Sequence, residues 1–114
     1  MMSQREEQLV FWSISDTNSL YSSYMAFVKN GGLFIPTFDH YEMGQNVFLT
    51  LSLISEITPF YIHGKVIWIT PKHSDGYRTC GIGIQFTEQE HALKDKIETY
   101  LANMQDVDYS TYTL

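Results

Sequence analysis

Histidine and cysteine are the side chains of this sequence best suited to metal binding or nucleophilic chemistry. The chain has one cysteine and four histidines: Cys80, His40, His63, His73 and His91. A metal site needs several such ligands at short spacing, and no His-x-x-x-His pattern occurs. The run His73-Ser74-Asp75 holds the residue types of a catalytic triad, but neighbours in sequence do not converge in space. The sequence therefore predicts no enzyme, no metal and no cofactor.

Arginine is the residue best suited to holding a phosphate group, and the chain has only Arg5 and Arg78. These two are far apart in the sequence, and the formal net charge is −6. Nucleic acids and anionic lipids both require a clustered basic surface, which the sequence lacks. We therefore expect no nucleic-acid partner and no membrane insertion. A nucleic-acid module of the OB type remains a disfavoured alternative.

Alternation of apolar residues predicts a mainly β domain. Val47, Leu49, Leu51 and Leu53 fall on one side of an extended segment, as expected where one face of a sheet covers a core. Further strands are predicted at 9–14, 33–35, 60–70 and 79–86. In the last of these, Gly81 and Gly83 lie opposite the apolar face, where they would allow another chain segment to approach closely.

A helix is predicted after the last strand. Thr87 and Glu90 have the spacing of a capping box. An apolar stripe follows, formed by Leu93, Ile97, Tyr100, Leu101 and Met104. The stripe favours a helix that closes an open end of the β domain over one that binds a partner. We expect a frayed N-terminus at 1–8, the folded domain at 9–104 and a flexible tail at 105–114. Residues 20–27 fit a short helix or an extended segment.

Three stretches taken together resemble a known family. They are a glycine-rich turn entering a strand at 27–36, and the strands at 64–69 and 81–86. In this order they resemble the strand signature of the PilZ domain, a family of small β-barrels best known as cyclic di-GMP receptors. The resemblance implies a six- or seven-stranded antiparallel β-barrel with a C-terminal α-helix.

The residues that bind the nucleotide in that family are missing here. PilZ receptors typically carry Arg-x-x-x-Arg and Asp/Asn-x-Ser-x-x-Gly, and the second motif falls on residues 27–32. Phe27 stands at the Asp/Asn position and Lys29 at the serine position, so only Gly32 matches. Without two guanidinium groups, a doubly charged dinucleotide has nothing to compensate its desolvation. The resemblance thus implies no cyclic di-GMP binding. A receptor for cyclic di-GMP or another small ligand, using a non-standard site, is the alternative.

Residues 20–37, 64–71, 81–86 and 96–99 resemble more closely the PilZ subgroup of type IV pilus assembly proteins, across roughly residues 9–101. The closer resemblance implies a non-enzymatic adaptor in pilus biogenesis and twitching motility. Its partners would be the pilus extension ATPase PilB and FimX, a receptor with a degenerate EAL domain.

No apolar run approaches the ~20 residues of a membrane span, and the N-terminus is unlike a signal peptide. We therefore expect a cytoplasmic location.

Large aromatic side chains with a polar tip are common anchors of protein interfaces. Tyr21 fits an interface better than a core, Tyr24 fits a core better, and Trp68 fits either. Tyr109 and Tyr112 in the acidic tail could dock into a partner or do nothing. The candidate protein-interface residues are Tyr21, Tyr24, Trp68, Pro71, Tyr109 and Tyr112.

Overall fold

One β-sheet, two helices and their connections make up the fold. A computed structural model describes the backbone of residues 7–71 and 80–113, and the side chains of residues 8–71 and 80–103. The strands are β1 (Glu7–Ile14), β2 (Gly32–Pro36), β3 (Asn46–Leu53), β4 (Phe60–Thr70) and β5 (Gly81–Phe86). The helices are α1 (Thr17–Ser23) and α2 (His91–Thr113), and a 3₁₀ turn at Glu88–Glu90 leads into α2.

The strands are ordered β1-β3-β4-β5-β2, with β1 parallel to β3 and every other pairing antiparallel. The expectation of six or seven antiparallel strands is therefore wrong: the described residues form five, and one pairing is parallel. The segment 20–27 adds no strand because it forms the end of α1 and a single bridge, Tyr24 to Leu33. Pro36 is the last residue of β2, which lies at an edge of the sheet, where a residue without a backbone N–H is tolerated.

The inner face of the sheet is the one that the alternation predicted. Val47, Leu49, Leu51 and Leu53 of β3 are fully buried. Ile82, Ile84 and Phe86 of β5 join them. The predicted stripe of α2 packs on this face, because Leu93 and Ile97 belong to the same buried cluster and Tyr100 and Leu101 lie against it. Burial of apolar surface between sheet and helix is the main stabilising term of such a fold.

The predicted capping box is not formed. Thr87 has the extended backbone of a cap, but its side chain makes no capping hydrogen bond, and its buried Oγ1 has no partner. Glu90 instead accepts a hydrogen bond from the backbone N–H of His63, at 3.2 Å. The side chain of Glu90, which local spacing assigned to the helix start, therefore makes a tertiary contact with β4 instead.

Helix α1 begins at a side-chain cap and is tied to α2. The Asp16 carboxylate accepts the N–H of Ser19 at 2.7 Å, which satisfies a free donor of the first turn. Leu20 is fully buried beneath the helix. After α1, the hydroxyl of Tyr24 donates to Oε2 of Glu98 on α2 at 2.8 Å.

Helix α2 runs through residues 105–113, the segment separated as a tail in the sequence analysis. The side chains from Met104 onward, including Tyr109 and Tyr112, lie outside the described residues, as do residues 1–6 and 72–79. The roles assigned to the tail and its tyrosines stay predictions. None of the helices in the described part of the chain is long and apolar enough to cross a membrane.

Replacement of Tyr24 by phenylalanine tests the link between α1 and α2. The hydrogen bond from Tyr24, followed by that from Lys94, holds the pKa of Glu98 below its ordinary value. A carboxyl group with a lowered folded-state pKa stabilises the protein above its unfolded-state pKa and loses that effect as pH falls through the folded-state pKa. We expect Tyr24→Phe to lower the free energy of unfolding by about 1 kcal/mol at pH 7. The loss should shrink in acid, once Glu98 is protonated.

Urea denaturation of the wild type and of Tyr24→Phe, at pH 7 and at pH 3, measures the loss in free energy of unfolding at each pH. The matched control is Tyr61→Phe, because Tyr61 is an exposed tyrosine whose hydroxyl makes no hydrogen bond within the described residues. A loss for Tyr24→Phe of the same size at both pH values would contradict the assigned role of Glu98.

Candidate protein-interaction surfaces

The turn that carries the degenerate nucleotide motif is held firmly against the sheet. Asn30 and Gly31 both adopt positive φ angles, 69° and 81°. The N–H of Phe86 donates to the carbonyl of Gly31 at 2.9 Å, and the side chain of Gln85 donates to the carbonyl of Lys29 at 3.0 Å. The backbone of the turn is therefore fixed by contacts with β5 that need no ligand.

The side chains at the motif positions do not form an anion site. Phe27 is 83% exposed, and Lys29 is exposed as the single cation of the motif. The retained glycine has a structural reason: a Cβ at Gly32 would lie 2.6 Å from the carbonyl oxygen of Ile84 on the neighbouring strand. The one matching residue of the motif thus serves the contact between β2 and β5.

A shallow groove of about 280 Å³ lies between α1 and α2. It is lined by Tyr21, Tyr24, Ala26, Glu98, Leu101 and Ala102. Burial, followed by the hydrogen bond to Glu98, raises the pKa of Tyr24 far above its ordinary value, so its hydroxyl stays a donor. Tyr24 therefore supports the fold, while Tyr21 beside it is exposed and available for contact with a partner.

Trp68 lies on the outer face of the sheet and is about half exposed. A register shift between Val66 and Trp68 marks a β-bulge, a device that re-aims the side chains after it. The indole N–H donates to the hydroxyl of Thr70 at 2.9 Å, so the ring's polar edge is satisfied internally. Its exposed part is apolar, as an interface anchor requires.

Gly83 makes room for the residues beside Trp68. A Cβ at Gly83 would lie 2.9 Å from both the Cβ of Trp68 and the sulfur of Met25. The prediction that the outward glycines of this strand allow close approach is confirmed. Pro71, the next candidate, is exposed just after β4.

A second apolar surface was missed by the sequence analysis. We call it the outer-face patch; it consists of Leu9, Phe11, Phe48 and Tyr61, which are 67%, 69%, 38% and 73% exposed. Strand pairing brings them together, because Leu9 lies opposite Phe48 and the Cα partner of both Phe11 and Tyr61 is Thr50. Phe48 also stacks on His63, with ring centroids 4.7 Å apart. The signal for this patch in the sequence was the presence of apolar residues at both the inward-facing and the outward-facing positions of the strands.

Comparison with known proteins gives one finding. The family model described as PilZ domain matches residues 2–103, which is most of the chain. No curated protein matches the sequence.

Substitution of Gly32 tests whether the retained motif residue is structural. Because the added Cβ would meet a backbone oxygen that cannot rotate away, Gly32→Ala must displace β2 from β5. We expect a loss of about 1–3 kcal/mol in the free energy of unfolding, measured by urea denaturation. The exposed substitutions Phe27→Ala and Lys29→Ala should each stay within about 0.5 kcal/mol of wild type. Unchanged stability of Gly32→Ala would show that this glycine is free to serve another purpose.

Proposed function

The chain belongs to the PilZ domain family, and on that premise we propose that it is an adaptor in type IV pilus biogenesis and twitching motility. PilZ domains are non-enzymatic regulatory or binding domains, and the family includes both cyclic di-GMP receptors and adaptors. The proposal chooses the adaptor role and excludes direct binding of the nucleotide.

The state of the motif at residues 27–32 carries this choice. Cyclic di-GMP has two phosphates, and their removal from water must be offset by charge-assisted hydrogen bonds. The chain has no pair of neighbouring arginines, and an exposed phenyl ring, Phe27, replaces the acid or amide that would contact the ligand. Lys29 alone offers a single, flexible point charge. The net charge of −6 further opposes a dianion.

Exposed aromatic side chains support the protein-binding half of the proposal. Tyr21 borders the groove between the helices, and Trp68 presents an apolar ring whose N–H is already bonded. Tyrosine and tryptophan are enriched among the residues that dominate binding energy. We propose that these two, with Pro71, contact the pilus extension ATPase PilB or the degenerate EAL-domain protein FimX. Tyr24 enters the proposal only as the support of Tyr21.

Calorimetric titration with cyclic di-GMP tests the nucleotide half. The wild-type chain should give no saturable heat at micromolar to millimolar nucleotide, because the residues that the structure describes hold no guanidinium group to replace the missing pair. A PilZ receptor that carries both motifs, titrated in parallel, confirms that the nucleotide sample is active. Saturable heat in the micromolar range for this chain would establish it as a receptor with a non-standard site and overturn the proposal.

Binding measurements with purified PilB and FimX test the adaptor half. Tyr21→Ala and Trp68→Ala should each weaken binding of at least one partner about tenfold or more, as truncation of a central aromatic anchor does. Ser19→Ala, an exposed change on the same helix as Tyr21, is the matched control and should bind as wild type. A chain ending at Asn103 tests Tyr109 and Tyr112. Failure of the wild type to bind either protein would contradict the adaptor role.

A further inference from the structure

We propose that two copies of this chain pair through the free edge of strand β1, antiparallel and about a twofold axis, so that their two sheets become one. The inference goes beyond the proposed function, because the adaptor role needs no second copy. It concerns the backbone edge of β1, whereas Tyr21 borders the groove between the helices and Trp68 lies on β4.

One side of β1 carries backbone groups that have no hydrogen-bond partner within the described residues. The strand is at the end of the sheet, and its only neighbour is β3. The carbonyl of Ile14 accepts the N–H of Ile54, so Ile14 directs its backbone groups toward β3. Successive residues of a strand direct these groups to opposite sides. The groups that point away from the sheet therefore belong to Glu7, Leu9, Phe11 and Ser13.

This edge lacks the protection that the opposite edge of the sheet has. Strand β2 has five residues, begins at Gly32 and ends at Pro36. Short length and a proline both keep an edge strand from pairing with another chain. Strand β1 has eight residues, and its stretch 8–14 contains no charged residue, proline or glycine. A stretch of this type pairs readily with a further strand.

The sequence of β1 makes a second copy a complementary occupant of this edge. Antiparallel pairing centred on Val10 sets every outward-pointing residue opposite another, and each such pair exchanges two hydrogen bonds. In this register Leu9 lies opposite Phe11 of the second copy, and Glu7 lies opposite Ser13. Aromatic–aliphatic pairs stabilise neighbouring strands, and no like charges meet along the described strand.

The same register brings apolar side chains of the two copies together on both faces. Leu9 and Phe11 are exposed on the outer face, and pairing places them beside their counterparts across the join. Val10 meets its own counterpart on the inner face, beside Trp12, which is partly buried against the core. A strand of another sequence would have to supply the same alternation, whereas a second copy supplies it by symmetry.

Charge sets the conditions under which the dimer forms. Each copy has a net charge of −6, so the two copies repel one another outside the neutral stretch of the join. Salt screens this repulsion, because the Debye length falls from about 30 Å at 0.01 M to about 10 Å at 0.1 M. We therefore expect added salt to shift the equilibrium toward the dimer. A dimer that dissociates as salt is added would be held by ion pairs and would contradict the proposal.

Sedimentation equilibrium of the full chain, over a range of protein and salt concentrations, tests for the dimer. Leu9→Lys combined with Phe11→Lys places like charges opposite each other and should weaken dimerisation about tenfold or more. The matched control is Met43→Lys combined with Ile57→Lys, because both residues are exposed, apolar and outside the strands. The control changes the net charge equally and should dimerise at least as well as the wild type.

A mixture of oppositely charged variants tests the register. Leu9→Glu combined with Phe11→Glu should also be monomeric alone, since carboxylates would then face each other. Mixed with the double lysine variant, it should form a heterodimer, because opposite charges meet across the join. Thermal unfolding checks that each variant keeps the wild-type fold. A dimeric wild type whose two folded charged variants do not pair when mixed would overturn the register.

Hydrogen exchange of the wild type separates edge pairing from other contacts between copies. The N–H groups of Val10 and Trp12 point toward β3 and should be protected at every concentration. Those of Leu9, Phe11 and Ser13 should gain protection only where the chain is dimeric. A dimer that leaves these three unprotected, or a wild type that stays monomeric at millimolar concentration, would overturn the inference. Neither result touches the adaptor role, which is measured by binding to PilB and FimX.

Discussion

Burial of one apolar face of the sheet under helix α2 is the interaction on which the rest of the structure depends. Leu93 and Ile97 belong to the same buried cluster as the apolar residues of β3 and β5, and hydrogen bonds from Tyr24 and Tyr100 to carboxylates fix the helix at its flanks. Since a single sheet has only two faces, covering one with the chain's own helix leaves the other to solvent or to a partner. The exposed rings on that outer face are a direct consequence.

Two glycines allow the close contacts that β5 makes with β2 and with the side chains on the outer face of the sheet. Gly32 brings β2 against the backbone of β5, and Gly83 lets Trp68 and Met25 lie across β5 on the outside. The close approach at Gly32 also explains why this glycine is present although the other motif positions carry different residues. The glycine of the motif is needed by the strands, whereas the positions held by Phe27 and Lys29 are exposed and free to change. Changes at these two positions therefore need not disturb the fold.

Local patterns predicted the elements better than their arrangement. The alternation in β3, the outward glycines of β5 and the stripe of α2 were readable because each reports the burial of a single face. The parallel pairing of β1 with β3 was not readable, because the residue pattern of a strand does not show in which direction it pairs with its neighbour. The capping box failed because Glu90 bonds to His63 on a distant strand. Tyr21 and Trp68 were chosen as candidates by residue type and are exposed, whereas the outer-face patch could be recognised only from the strand register.

We propose that this PilZ domain acts by contacting proteins and has no nucleotide site. The most direct test records the backbone amide NMR spectrum of the isotopically labelled chain, first with cyclic di-GMP and then with PilB or FimX. We expect the nucleotide to leave the resonances of residues 27–32 unmoved, and a partner protein to shift those of β1, β4 or α1. Saturable nucleotide-induced shifts at residues 27–32, with no response to either protein, would contradict the account.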